Sequence, residues 1–236
     1  MKVYPVNAFE AASLFSPQKA SHSDIRDVYN RYIDFTVDFT AAKTYITGKW
    51  QAPIEADSFI LANSNALNGS IELKLSGVTV LNKSIEFKEF INITEFEKTS
   101  FDEFILNIEG KEKLYIGLLS IGKTWELPRF VTLPGKQLQL RSDSGRTFSG
   151  QVTGIPAETL NAFRASFARI TNKDVKLIDD YINGVQTVIP HVIDPYYQAH
   201  DEFPPFFATI SEYGDKEKRA ENGFYWNFEI SWMEAK

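Results

Sequence analysis

The sequence predicts a mainly β protein: an antiparallel β-sandwich followed by a smaller mixed α/β unit built around one main helix. Three observations carry this. Short apolar stretches recur between residues 28 and 133, bounded by Asn, Ser and Gly and lacking any helical period. One stretch, 156–170, carries apolar residues at helical spacing. In the closing stretch 224–233, Phe224, Trp226, Phe228, Ile230 and Trp232 alternate with Tyr225, Asn227, Glu229, Ser231 and Met233.

Residues 1–27 show no sustained period, and Pro5, Pro17 and the polar run SPQKASHSD break up any element. Val3, Tyr4, Phe9, Leu14 and Phe15 are nevertheless apolar enough to dock, so the segment is expected to be an N-terminal assembly arm. The sandwich is expected over 28–133. Asp34–Thr40 alternates polar and apolar. Ser58–Ala62 is an apolar run ended by Asn63-Ser64-Asn65, which suits a strand buried on both faces and closed by turn formers. Ile71, Leu73 and Leu75 alternate with Glu72 and Lys74, and Val78 and Val80 follow Gly77. Strands around 104–108 and 113–119 complete the set.

The second unit, 134–236, is expected to run ββα and then four strands. Leu138 and Leu140 open a strand, and the turn Ser142–Gly145 makes a hairpin with Arg146–Val152. The helix is placed at 156–170, with Pro156 in its first turn and Leu160, Phe163, Phe167 and Ile170 on one face. Strands follow at 174–178 and 186–193, joined across Asn183-Gly184, and then at 206–213 and 224–233. The Phe224–Trp232 stripe is expected to pack against the Leu160, Phe163, Phe167 stripe. Between the last two strands, the charged tip GDKEKRAENG is expected at the surface or at an interface.

Composition excludes several function classes. With 25 basic against 31 acidic residues the net charge is −6, which argues against a dedicated nucleic-acid binder. The absence of cysteine removes disulfides, Cys-based zinc sites and a Cys nucleophile. No apolar run approaches the ~18–20 residues of a membrane-spanning helix, and the first residues lack the apolar core of a signal peptide. The 19 Phe, 10 Tyr and 4 Trp supply ring surface for cores and contacts.

Catalytic and cofactor motifs fail on physical grounds, so no catalytic, cofactor-binding or metal-binding residue is assigned and the chain is expected not to be an enzyme. Gly117–Thr124 matches GxxxxGK[ST], but a phosphate loop needs a flexible turn and then a helix N-terminus. Here Leu118–Ile121 is strand-like and Pro128 falls where that helix would begin. His22, His191 and His200 have no helical partner at metal spacing. His191 with Asp194, and His200 with Asp201 and Glu202, are expected as solvated turn residues. Asp179-Asp180, expected in a strand, point to opposite faces. Asn68, Asn82 and Asn92 match a glycosylation pattern that means little without a signal peptide.

Two stretches, DSFILANSNALNGSIELKLSG and KEKLYIGLLSIGKTWELPRF, resemble the galactose-binding-like, jelly-roll β-sandwich modules of tailed-bacteriophage or prophage tail structural proteins. RSDSGRTFSG, AETLNAFRASFARI, a Pro-rich stretch and the closing NFEISWMEA are similar to a recurring tail-protein pattern. The resemblance covers most of residues 50–236. It implies a non-enzymatic component of the tail, distal tip or baseplate, made in the bacterial host cytoplasm and placed in the virion. Such a component works by self-association in a symmetric assembly and by docking to other phage tail proteins, with Tyr4, Phe9, Phe15, Lys216, Lys218 and Arg219 as candidate interface residues. The alternative is a carbohydrate-binding module recognising host surface glycans. Trp50 and Trp125 sit near predicted strand ends, where exposed rings can stack on sugars. Asn63, Asn65 and Trp125 are then the candidate glycan contacts.

Overall fold

One strand of 22 residues, Lys43–Ser64, organises the first half of the chain. The computed structural model describes residues 1–4, 7–29, 33, 35–128, 136–140, 143–146, 152–155, 159–185, 189–195, 204–214, 217–218 and 225–235. In chain order the strands are β1 (Lys2–Tyr4), β2 (Ser13–Phe15), β3 (Val37–Asp38), β4 (Lys43–Ser64), β5 (Ala66–Leu75), β6 (Val78–Glu86), β7 (Ile91–Gly110), β8 (Tyr115–Gly122) and β9 (Trp125–Glu126). Then come β10 (Lys136–Leu140), β11 (Asp143–Arg146), β12 (Val152–Ile155), β13 (Thr159–Ile170), helix α1 (Asn172–Val185), β14 (His191–Asp194), β15 (Phe206–Tyr213), β16 (Glu217–Lys218) and β17 (Trp226–Glu234). The protein is mainly β and antiparallel, with its helix in the second unit, the class the sequence predicts.

The first unit comprises Met1–Glu126 and His191–Phe206, the second Leu127–Pro190 and Phe207–Ala235. This replaces the expected boundaries at 27/28 and 133/134. The chain rejoins the first unit after the helix because β14 pairs with β1, Val3 lying opposite Ile193.

In the first unit β4 and β7 each belong to two layers. Lys43–Lys49 pairs with the end of β7 and with β2, and the end of β7 pairs in turn with β5. Ser58–Ser64 pairs with the start of β7 and with β8. Between them the register shifts twice, from Lys49 to Ile54 and from Ala56 to Ser58. Pro53, which has no N–H for a ladder, falls in the first irregularity, where a strand tolerates it. Bulged strands that cross between layers form the corners of a sandwich. The rings of Phe59 and Phe104, one on each layer, lie 5.8 Å apart across the core.

Alternation explains the inner face: Thr44, Ile46, Gly48 and Trp50 are buried while Lys43, Tyr45 and Lys49 are exposed. Ser58–Ala62 and Ile116–Gly122 are buried on both faces, as expected for the run at 58–62. The β5–β6 hairpin turns on Ser76 (φ 51°) and Gly77 (φ 81°), both left-handed, the geometry of a type I′ turn. Asp102 accepts the Ser76 N–H through both carboxylate oxygens, at 3.1 and 3.0 Å.

The N-terminal segment is not a free arm. The Asn7 side chain accepts the Phe9 N–H at 3.1 Å and starts a short 3₁₀ turn, Ala8–Ala11. That turn drives Phe9, 0% exposed, into the sandwich core. Its ring lies 5.7 Å from Trp50 and 5.0 Å from Phe104. Trp50, expected near a strand end, lies inside β4 and donates its indole N–H to the Ala8 carbonyl at 2.8 Å. At the start of the segment, β1 lies between β14 and β9 and is antiparallel to both.

The second unit corrects the helix placement. The stretch read as helical, Leu160 to Ile170, lies in strand β13, and the helix is α1, read partly as strand at 174–178. A spacing of four fits both a helical turn and an even strand period, so Phe163 and Phe167 mislead. Ala165 between them is also buried, while Arg164 is exposed, which is period two. At Arg169 (φ 57°) the strand is irregular, and this brings Ile170 opposite Trp226. The true helix start is a capping box. Thr171 donates its N–H to the Asp174 carboxylate at 2.9 Å, and its hydroxyl accepts the Asp174 N–H at 3.3 Å. Ile178, Tyr181 and Val185 are the buried stripe of α1. Asn183-Gly184, read as a hairpin turn, lies in its last turn.

Asp143–Gly145, read as turn residues, belong to β11, which pairs with β12. The expected strands 206–213 and 224–233 appear as β15 and β17. The two apolar stripes meet side by side rather than from opposite layers. Phe163 lies opposite Trp232 with rings 5.6 Å apart, and Phe167 opposite Phe228 with rings 6.5 Å apart. Tyr181 of α1 covers that face by accepting the Trp232 indole N–H at 2.8 Å. Phe224 and the side chain of Leu160 lie outside the described residues.

Candidate functional site

Three connections meet at one end of the sandwich: Asn65 between β4 and β5, Phe87–Phe90 between β6 and β7, and Lys111–Leu114 between β7 and β8. They enclose an open cleft of about 490 Å³ lined by Ser64, Asn65, Leu67, Phe87, Phe90 and Lys111, among others.

Side-chain amides fix these loops. Asn63 takes a left-handed backbone (φ 48°), which Asn tolerates better than most residues. It donates its backbone N–H to Phe90 at 2.9 Å and its side-chain amide to Ile33 at 2.8 Å. Asn65 donates to the Lys113 carbonyl and accepts the Tyr115 N–H, both at 2.9 Å. Ser64 donates its hydroxyl to the Tyr115 carbonyl at 2.9 Å. Asn92 accepts the N–H groups of Lys88 and Glu89 at 2.9 and 3.1 Å and donates back to Glu89 at 2.5 Å. This tight turn sends Phe87 inward, 5% exposed, and leaves Phe90 outward, 58% exposed.

The cleft therefore has an apolar rim of Phe90 and Leu67 and a polar remainder. Lys88 pairs with Glu86 at 2.9 Å. Lys111 and Glu112 are exposed and make no ion pair among the described residues.

Of the glycan candidates, Asn65 lines the cleft. Asn63 is engaged in holding Ile33 and Phe90, and so builds the loop rather than facing outward. Trp125 is elsewhere, on β9 opposite Val3, with its indole N–H buried and without a hydrogen-bond partner among the described residues. Sequence reasoning missed Phe90, Leu67 and Lys111. The available signal was Lys88-Glu89 between Phe87 and Phe90: outside a helix, two rings three residues apart tend to face opposite ways.

The interface candidates divide differently. Tyr4 is buried and donates its hydroxyl to Glu95 at 3.0 Å, and Lys2 pairs with the same carboxylate at 2.6 Å. Burial, with Glu95 beside it, raises the Tyr4 phenol above the usual tyrosine range. Phe9 is core. Phe15 on β2 is 55% exposed. Lys218 lies on β16 with its backbone opposite Trp226. Its side chain, Lys216 and Arg219 lie outside the described residues.

Gly117–Gly122 is strand β8, and β9 follows in place of a helix. Gly117 is required there because a Cβ would stand 2.2 Å from the Ile33 carbonyl oxygen. His22 pairs with Asp38 at 3.0 Å. His191 and Asp194, expected as solvated turn residues, are buried at 3% and 1% because β14 runs beside β1. Asp179 and Asp180 lie on α1 rather than in a strand. No group of three metal-ligating side chains occurs among the described residues. His200, Asp201 and Glu202 lie outside them.

The fold and cleft define an antiparallel β-sandwich with a ligand-sized opening among its end loops. No family model matches the chain, and no curated protein matches it. Among solved structures it is similar to a Ruminococcus gnavus GH29 fucosidase in complex with fucose (TM-score 0.47, 11% identity), covering 52% of this chain and 28% of that one. It is also similar to the family 32 CBM of C. perfringens NanJ in complex with galactose (TM-score 0.42, 12% identity), covering 51% and 98%. The lectin binding domain of Lectinolysin, complexed with Lewis b, gives a TM-score of 0.45 at 8% identity, covering 51% and 98%. The chain spans less than a third of the fucosidase chains it matches.

Proposed function

We propose that the first unit is a non-catalytic carbohydrate-binding module whose site is the loop-end cleft. The observation that carries this is Phe90, a ring 58% exposed at the rim of an otherwise polar opening. A sugar has an apolar C–H face that stacks on an aromatic ring and hydroxyls that exchange hydrogen bonds with amides and charges. Lys111 and Glu112 supply such partners around Phe90 and Leu67, while Ser64 and Asn65 hold the loop beneath them. A glycan panel, followed by calorimetry on any sugar that binds, tests the reading. Phe90→Ala should weaken binding roughly tenfold or more, as for a ring at the centre of a contact, with the melting temperature unchanged. Binding that is indifferent to Phe90→Ala, or no sugar bound at all, overturns it.

A second reading, a self-associating component of a phage tail, is favoured by β6. This nine-residue edge strand pairs only with β5 among the described residues, and its Val78 and Val80 are 66% and 42% exposed. Such an edge offers unpaired backbone groups to another chain. A symmetric oligomer in light scattering that is lost on Val80→Pro supports this reading, and a monomer at high concentration overturns it.

A further inference from the structure

We infer that the outer face of the first layer is a second, distinct carbohydrate surface, suited to an extended, uncharged polysaccharide chain. The inference rests on the carbohydrate-binding reading of the first unit, but the surface is separate from the cleft.

The register places Tyr45 opposite Asn107, Asn107 opposite Ser70, and Ser70 opposite Ser84. These four residues form one row across β4, β7, β5 and β6. With strands about 4.8 Å apart, the row is about 14 Å long. They all point outward: Tyr45 is 41% exposed, Asn107 and Ser84 are exposed and Ser70 half-buried, while their neighbours Ile46, Leu106, Ile108 and Ile71 are core. The amide of Asn107 donates to the Ser70 hydroxyl at 3.3 Å, which fixes both on the same face. The adjacent row begins with Phe15 opposite Thr47 and continues through Ile105.

Charge sets the ligand class. The first row carries no charge at all. The rows that border these two hold Lys43–Glu109 and Lys49–Glu103, each pair at 3.2 Å. Glu72, which follows Ile105 in the second row, is neutralised by Lys74 at 3.5 Å. At the edge, Glu86 pairs with Lys88. Every charge bordering the band is paired within the unit, so the face offers little to an acidic or basic partner. It offers two exposed rings, Tyr45 and Phe15, beside a line of amide and hydroxyl groups. Rings for C–H faces and neutral hydrogen-bonding groups for hydroxyls match a neutral sugar chain laid across the strands.

The test is native affinity electrophoresis of the full chain in gels containing hydroxyethylcellulose, galactomannan or xylan, with alginate as the charged control. Retardation by a neutral polymer, reduced at least about tenfold by Tyr45→Ala with Phe15→Ala and unaffected by Phe90→Ala, is the expected result. Ser84→Glu, an exposed change that puts a charge into the band, should give the same loss if the double variant folds poorly. Retardation lost with Phe90→Ala alone overturns the surface and leaves the cleft reading standing. Retardation by none of the neutral polymers, or by alginate in preference to them, also overturns it, whatever the cleft binds. A concentration-dependent dimer that Ser84→Glu dissolves overturns it too, because the face then meets a second copy.

Discussion

Trp232 and Tyr181 are joined by a hydrogen bond in which the indole N–H donates to the phenol oxygen at 2.8 Å, and both side chains are 0% exposed. Burial raises the Tyr181 phenol above the usual tyrosine range, so it stays protonated and available as an acceptor.

Tyr181→Phe keeps the ring and removes the hydroxyl that accepts the Trp232 N–H. The Trp232 N–H is then buried without a partner, and the second unit should lose about 1–3 kcal/mol, read from urea unfolding. Adding Trp232→Phe to that variant should cost less than Trp232→Phe alone, because the orphaned donor is gone.

Phe9→Ala should destabilise the isolated chain by about 3–5 kcal/mol through the cavity left between Trp50 and Phe104. Deleting residues 2–20 should likewise lower the melting temperature of the chain on its own. An unchanged melting temperature in either case would restore the arm reading of the N-terminal segment.

Gly117→Ala should cost about 1–3 kcal/mol. Its Cβ would stand 2.2 Å from the Ile33 carbonyl oxygen and 2.8 Å from Asn63 Cβ. The shift needed is in backbone rather than in a flexible side chain, and a fall in the urea midpoint checks it.

Asp24 gives a pH dependence of known sign. Side-chain hydrogen bonds from Arg26, and then the Arg26 backbone N–H, lower its carboxyl from 3.8 to about 2. The stabilisation is present above the ordinary value and is lost as pH falls through about 2. An NMR titration of the Asp24 carboxyl should show the low midpoint, and Arg26→Ala should bring it back towards 3.8.

The strands of the first unit were legible because their alternation is unambiguous. Ile71, Leu73 and Leu75 lie between charged or polar neighbours, and Asn63–Asn65 mark the end of β4. Its 22-residue length was not legible, because Pro53 and Asp57 fall at the two register shifts and interrupt the alternation there. In the second unit, Phe163 and Phe167 fit two periods at once, and the capping pair Thr171 and Asp174 was the signal that could have decided between them. At the cleft, Asn65 was legible as a loop residue. Phe90 was not, because an apolar ring beside a strand reads as core until the Asn92 turn shows which way it faces.

The corner that carries β4 and β7 from one layer to the other has a consequence for how the protein can change. A break in either strand severs both layers at once, so neither layer can be lost, duplicated or opened independently, and the sandwich should exchange its amide hydrogens as a single cooperative block. Insertions and divergence are thereby channelled away from the corner to the end loops. There Asn63 and Asn65 fasten one loop by backbone hydrogen bonds, while the exposed residues Lys88 to Phe90 and Lys111 to Lys113 are free to vary in chemistry above an unchanged frame.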